Sequence, residues 1–271
     1  NFLTTCASML STQGVSILLN MQFGPVINAS RGVASQINGT VGAFHRNFTT
    51  ALNPQITKTY AAEDFEYVKR LVCKGAKFSY LAFFFIALPC MIEVNFFLSV
   101  WLKEVPAYAG IFVQLTLLNS LVEVLLNSSE TLNRATGKIR NFQLLVSSAQ
   151  FAILIASYIA LKITANPILV VSMANIIYLL IFVPRILVNK PYVGMTFGYY
   201  YKEVLQGIIM MSVISAALSL LPFMFMSDGW MRLVTVGVVS SISIIITSAI
   251  FVLTKGERDM VARFVKNKIK R

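Results

Sequence analysis

Eight apolar stretches, each long enough to cross a bilayer, occupy almost all of the chain. A helix needs about 20 residues to cross about 30 Å of hydrocarbon. Hydrophobic residues make up 56% of the chain and charged residues only 13%, which is too apolar for a soluble domain. The sequence therefore predicts an all-α, polytopic membrane protein with eight transmembrane helices. The predicted spans are Phe2–Phe23, Pro25–Thr59, Phe78–Leu102, Ala107–Asn127, Phe142–Leu161, Ile168–Val188, Val204–Met226 and Met231–Leu253.

The net charge of +12 is distributed unevenly between the two ends of these spans. If the chain starts on the cytoplasmic side, eighteen of the 23 Lys and Arg residues lie in inward-facing segments. We therefore interpret the basic excess as a topology signal, with a cytoplasmic C-terminus, and expect no nucleic-acid partner. The basic tail at 255–271 is suited either to anionic lipid headgroups or to solvent.

The sequence carries no signature of enzyme chemistry. Its three cysteines, Cys6, Cys73 and Cys90, are far apart and match no metal or redox spacing. It contains no phosphate-binding loop and no H-E-x-x-H motif. We therefore predict no catalytic residue, no metal site and no cofactor. The chain begins inside an apolar segment at Asn1, which we interpret as a truncation.

The second span has a polar face. At 100° per residue, eight of its polar side chains fall within an arc of about 100°. A polar residue in hydrocarbon must face protein or water, so this face either lines a cavity or binds neighbouring helices. Arg31 lies about 10 Å from the outer end, where its side chain either extends outward to the interface or faces a cavity holding an anion, and we predict the cavity. The eight residues are Asn28, Arg31, Ser35, Asn38, His45, Arg46, Thr49 and Asn53.

The fourth span repeats the pattern within an arc of about 80°. Glu123 is the deepest acid, and we expect it either to form an interhelical ion pair or to couple transport to a cation. His45 is a second ion-coupling candidate, with a purely structural role as the alternative. Glu93 is placed to reach the outer interface. The residues of this second face are Asn119, Glu123, Asn127, Glu130 and Arg134, the last two being a local helical pair.

Several motifs resemble bacterial polysaccharide flippases of the Wzx type. The run FGPVINASRGVA at Phe23–Ala34, continuing to NPQITK at Asn53–Lys58, is similar to the eighth helix of that family. The stretches WLKEVPAY at Trp101–Tyr108 and ATGKI at Ala135–Ile139 agree with it. The resemblance is strong from the first residue to about the fourth span, and beyond that it rests on hydropathy.

The resemblance implies the multidrug/oligosaccharidyl-lipid/polysaccharide exporter superfamily, with twelve to fourteen helices in two lobes around a central cavity. Residues 1–190 would form the second six-helix lobe, residues 191–254 two additional transmembrane helices, and residues 255–271 a cytoplasmic tail, so that half the cavity is missing. Eight helices would correspond to the seventh through fourteenth.

The implied activity is alternating-access transport of an undecaprenyl-pyrophosphate-linked oligosaccharide across the bacterial inner membrane, for capsule, O-antigen or exopolysaccharide synthesis. Arg31 occupies the family's arginine position and is expected to contact the phosphates, with Asn28, Asn38 and Arg46 as further substrate-binding residues. Membrane lipids, a glycan polymerase and chain-length proteins are the implied partners, and Na⁺ or H⁺ the coupling ion. The alternatives are a cation-coupled multidrug antiporter of the same superfamily and a membrane glycan polymerase or ligase.

Overall fold

A computed structural model describes residues 2–259, in which helices are joined by short connections and no strand occurs. Residues 201–205 and 248–252 are π-helical turns that extend α11 and α12. Most of the predicted basic tail lies outside the described residues. The helices are α1 (Phe2–Phe23), α2 (Pro25–Ala61), α3 (Phe65–Ile92), α4 (Val94–Trp101), α5 (Ala109–Ala135), α6 (Arg140–Thr164), α7 (Pro167–Leu180), α8 (Phe182–Leu187), α9 (Lys190–Val193), α10 (Phe197–Tyr200), α11 (Gln206–Phe225) and α12 (Trp230–Thr247).

Six helical segments within residues 2–259 are long and apolar enough to cross a membrane. This makes the chain a multi-pass membrane protein, as predicted. The helices α1 and α2 have 22 and 37 residues, so they have the length to cross, but they are not among these six. The count of eight spans remains a prediction. The six segments are Phe65–Ile92, Ala109–Ala135, Arg140–Thr164, Pro167–Val193, Phe197–Phe225 and Trp230–Val252.

The helices pack as two groups of three. In the first group α2, α3 and α5 pack against one another, and in the second α6 lies between α1 and α7. Contacts of α5 with α7 and of α1 with α2 join the two groups. The helices α11 and α12 pack against each other and lie on α3. This arrangement leaves α2 and α5 side by side.

The charged stretch Ala61–Lys77 is predicted from the sequence to be a helix that runs along the inner interface into the third span, and the structure makes most of it one continuous helix with that span. The helix α3 starts at Phe65, where the Asp64 side chain accepts a hydrogen bond from the Tyr67 backbone N–H at 3.0 Å. The segment before Phe78 is continuous with α3 because Val68 and its apolar neighbours along the same face are buried against other helices. The helix ends at Ile92, and α4 continues beyond a break at Glu93.

Glu93 is buried at that break, so the expectation that it reaches the interface was wrong. Arg232 of α12 donates to both of its carboxylate oxygens, from Nε at 2.8 Å and from Nη2 at 2.9 Å. A two-pronged guanidinium–carboxylate pair is among the stronger polar contacts in proteins. Near the middle of α3, Lys77 lies 3.7 Å from Glu257, which follows α12, and both side chains are buried. The α11–α12 hairpin is therefore held by one ion pair near its turn and by a second one just beyond the end of α12.

The start of α11 lies close to the π-helical turn that extends α12. A Cβ added at Gly207, near the start of α11, would lie 2.3 Å from the backbone oxygen of Phe251 in the π-helical turn of α12. No residue larger than glycine fits this approach without a shift of the backbone. Gly207 therefore sets the spacing of the hairpin at this end.

Candidate functional site

The polar faces of α2 and α5 border two cavities along the two helices. The Arg31 cavity, near the start of α2, has a volume of about 670 Å³. The His45 cavity, near its C-terminal half, has a volume of about 490 Å³. Asn38 contributes to the walls of both. Every residue of the two polar arcs identified in the sequence lines one cavity or the other.

The Arg31 cavity is polar but almost free of charge. Its walls come from α1, α2, α5, α6 and α7, and Arg31 is the one charged residue among those that line it. The Arg31 guanidinium donates to the hydroxyl of Ser16 on α1, and within residues 2–259 no carboxylate forms an ion pair with it. A cation held in this way keeps most of its donors available for an anion.

Three carboxamides in this cavity have a buried oxygen without a hydrogen-bond partner. They belong to Asn28 and Asn38 on α2 and to Asn119 on α5. Buried polar atoms are usually paired, because an unpaired one loses its hydration without compensation. The three side chains therefore hold unused hydrogen-bonding capacity beside Arg31.

The His45 cavity contains charges of both signs. The Nδ1 atom of His45 lies 3.5 Å from the Nδ2 atom of Asn127. The ring of His45 packs edge to face on the ring of Phe83, with 5.8 Å between the ring centroids. Arg46 is exposed, and its Nη2 donates to the Gly39 backbone oxygen at 2.9 Å. Both predicted residues thus border a cavity, but neither is paired with an acid among the described residues. The charged residues of this wall are Arg46, Glu123, Glu130 and Arg134.

Glu123 forms the interhelical ion pair that was one of its two predicted roles. Its carboxylate accepts a hydrogen bond from Arg185 of α8, a guanidinium that is only 2% exposed. Arg185 Nη2 lies 3.9 Å from Glu130, which also pairs with Arg134 at 2.5 Å, as expected for residues four apart. The acids of the His45 cavity are therefore already neutralised by protein cations.

The contribution of α1, α6 and α7 to the Arg31 cavity was missed in the sequence analysis. On α6 and α7, Gln150 donates to the hydroxyl of Tyr178 at 2.6 Å. The α1 residues could have been recognised, because their spacing of three to four places them on one helical face. They are Ser8, Ser11, Thr12 and Ser16.

Within residues 2–259 no group of three or more His, Cys, Asp or Glu side chains is arranged to hold a metal ion. The chain matches no protein-family model, no curated protein and no solved structure. The function must therefore be inferred from the two cavities and from the residues that line them.

Proposed function

We propose that this chain is part of a transporter that moves an undecaprenyl-pyrophosphate-linked oligosaccharide across the bacterial inner membrane by alternating access. The observation that carries the proposal is the Arg31 cavity, whose one lining charge is a guanidinium without a carboxylate partner in the described part of the chain. Phosphate groups are the anions that guanidinium geometry suits best. The chain would then supply the second lobe and two further helices of an exporter with twelve to fourteen.

The charge distribution favours an anionic substrate over an organic cation. A cation-coupled multidrug antiporter needs an acid that is free to receive a proton, a metal ion or the drug. Glu123 is the deepest acid on the path and is paired with the buried Arg185. The cavity with spare charge is the one that carries Arg31, and that charge is positive.

Most Lys and Arg residues are on the predicted cytoplasmic side. On the opposite side the helices are joined by short connections, which favour a transporter over a glycan polymerase or ligase. The helices α1 and α2 are joined by Gly24 alone, α6 and α7 by two residues, and α11 and α12 by residues 226–229. Such connections leave little room for an external catalytic loop. We propose a non-enzymatic role with a cytoplasmic C-terminus, membrane lipids as surroundings, a glycan polymerase and chain-length proteins as partners, and Na⁺ or H⁺ as the coupling ion.

The test uses the complete protein in liposomes that contain a labelled undecaprenyl-pyrophosphate oligosaccharide, scored for exposure in the opposite leaflet. We expect Arg31→Ala to slow exposure about tenfold or more, the range for losing a hydrogen bond to a charged group. Arg31→Lys should retain part of the rate, because it keeps the charge but loses the two-pronged geometry.

Arg140→Ala is the matched control, because Arg140 is exposed at the start of α6 and lines neither cavity. All variants must elute as folded protein with unchanged thermal stability. Transport that is equally fast in Arg31→Ala and in the control would remove the basis of the proposal. Exchange of an organic cation for Na⁺ or H⁺, without movement of the lipid-linked glycan, would establish the antiporter instead.

A further inference from the structure

Four buried polar side chains form a seam between α5 and α8 that belongs to neither cavity. On α5 the seam carries Ser129 and Asn133, which are four positions apart and therefore lie on one face of the helix. Facing them are Arg185 of α8 and Asn189, which follows α8 and is also four positions further along the chain. Each of the four residues is at most 2% exposed, and none of them lines the Arg31 or the His45 cavity.

The Asn189 carboxamide lies close to both α5 residues of this seam. Its Nδ2 donates to the Ser129 backbone oxygen at 3.1 Å and to the Ser129 hydroxyl at 2.8 Å. In an α-helix the backbone oxygen of a residue points toward the N–H four positions later, which here is that of Asn133. The contact with this oxygen therefore places the Asn189 side chain beside the turn that carries Asn133.

The seam contains more hydrogen-bonding groups than the protein itself satisfies. In the part of the chain that the structure describes, neither the Nδ2 nor the Oδ1 of Asn133 has a hydrogen-bond partner. The Oδ1 of Asn189 and the Nε of Arg185 are unpaired as well. Buried polar groups ordinarily have a partner, because a group that loses its hydration without one is unfavourable. Four such atoms on facing elements indicate that a ligand binds between them.

The chemistry of these atoms selects a small neutral ligand that both donates and accepts hydrogen bonds. The carboxamide oxygens of Asn133 and Asn189 accept, whereas the Nδ2 of Asn133 and the Nε of Arg185 donate. A bound cation would lie beside the guanidinium of Arg185. A bound anion would lie beside carboxamide oxygens and near Glu130, which is 3.9 Å from the same guanidinium. Water meets both requirements, and a buried water molecule typically makes about three hydrogen bonds.

We propose that the α5–α8 seam is a binding site for internal water, which bridges Asn133, Asn189 and the Nε of Arg185. This water completes the hydrogen bonding of Arg185, whose other two guanidinium nitrogens face Glu123 and Glu130. Because both of these acids line the His45 cavity, that cavity is the route by which the water exchanges with solvent. The inference concerns the protein whatever it transports, so it does not depend on the proposed function.

The direct test is an experimental structure of the complete protein at a resolution that shows ordered water. We expect water density within about 2.7–3.2 Å of a side-chain atom of Asn133 and of the Oδ1 of Asn189. A protein group bonded directly to the Asn133 carboxamide, or a seam without such density, would overturn the proposal.

Asn133→Leu tests the same site in solution, because leucine keeps the branching of asparagine and removes its polar atoms. The bridging water would lose a partner, so we expect an unfolding temperature in detergent roughly 2–6 °C below that of the wild type, the effect of one or two hydrogen bonds in a chain of this size. A carboxamide buried without a ligand predicts the opposite sign, since its removal also removes an unpaired polar group.

Asn141→Leu is the matched control, because Asn141 is exposed near the start of α6 and undergoes the same change in helix propensity. Its unfolding temperature should equal or slightly exceed that of the wild type. An Asn133→Leu variant that is as stable as this control would show that no water is bound at Asn133. A lower unfolding temperature, together with the water density, would establish the site.

Discussion

Arg31, Arg46 and Arg185 are the same residue type in three electrostatic situations. Arg185 is buried between carboxylates, Arg46 is exposed and bound to a backbone oxygen, and Arg31 contacts a serine hydroxyl beside a cavity. The charge of Arg185 is neutralised by its neighbours, and that of Arg46 is screened by solvent. Arg31 therefore has the positive charge that a ligand in the cavity would meet.

Substitutions in the Glu123–Arg185 pair distinguish a structural role of Glu123 from a role in ion coupling. Glu123→Gln leaves the buried Arg185 with Glu130 alone, at 3.9 Å, so we expect a loss at the lower end of about 3–5 kcal/mol. Replacing both residues, as Glu123→Gln with Arg185→Gln, should recover most of that loss because no unpaired buried charge remains. Thermal unfolding in detergent measures both steps.

Ion coupling is then measured in the double variant, Glu123→Gln with Arg185→Gln. If Glu123 serves only as the partner of Arg185, transport should keep its dependence on a Na⁺ or H⁺ gradient. Loss of that dependence in a folded double variant would instead assign the coupling role to Glu123. The exposed Glu104→Gln, at the opposite end of the fold, is the control for removing an acid.

Some features of the single helices could be predicted from the sequence and others could not. The polar arcs of α2 and α5 could be predicted from the sequence. Each residue of a helix is rotated by about 100° from the one before it, so residues three, four or seven positions apart lie on one face. The partner of Glu123 could not, since the pairing of α5 with α8 brings together residues 62 positions apart. A helix before Phe78 could also be predicted, but not its burial against other helices, because its many charged side chains favoured a position along the inner interface.

The hairpin of α11 and α12 depends on one glycine. Gly207→Ala places a Cβ within 2.3 Å of the Phe251 backbone oxygen, so the two helices must separate or the π-helical turn must change. We expect a lower unfolding temperature for this variant. The matched control is Gly237→Ala in α12, where a Cβ meets nothing within 4 Å and alanine should add about 0.5–1 kcal/mol of helix stability.

Both substitutions are measured by thermal unfolding of the purified protein in detergent. A Gly207→Ala variant as stable as the Gly237→Ala variant would contradict the close approach of α11 to Phe251. A bulkier residue at position 207 should lower the unfolding temperature further, since the added atoms point at backbone rather than at a flexible side chain.

Over the whole molecule, the two buried ion pairs make the hairpin an integral part of the bundle. Arg232→Ala leaves Glu93, which is 1% exposed, without its cation, and a charge stranded in this way costs about 3–5 kcal/mol. We expect reduced thermal stability and easier proteolysis between α11 and α12. Lys103→Ala is the control, because it removes an exposed cation at the same end of the bundle. An unchanged unfolding temperature in Arg232→Ala would show that the Glu93–Arg232 pair does not contribute to holding the hairpin.

The polarity of α2 also bears on how the protein is made. Within residues 2–259, α2 is not among the six segments apolar enough to cross a membrane by hydropathy alone. The helix that packs along its polar face, α5, begins more than 40 residues after α2 ends. Before α5 is synthesised, that face needs another polar partner, such as water, the insertion machinery or a part of the protein that is made earlier. The residues that suit α2 to a polar cavity therefore make its stable integration depend on a helix that is made after it.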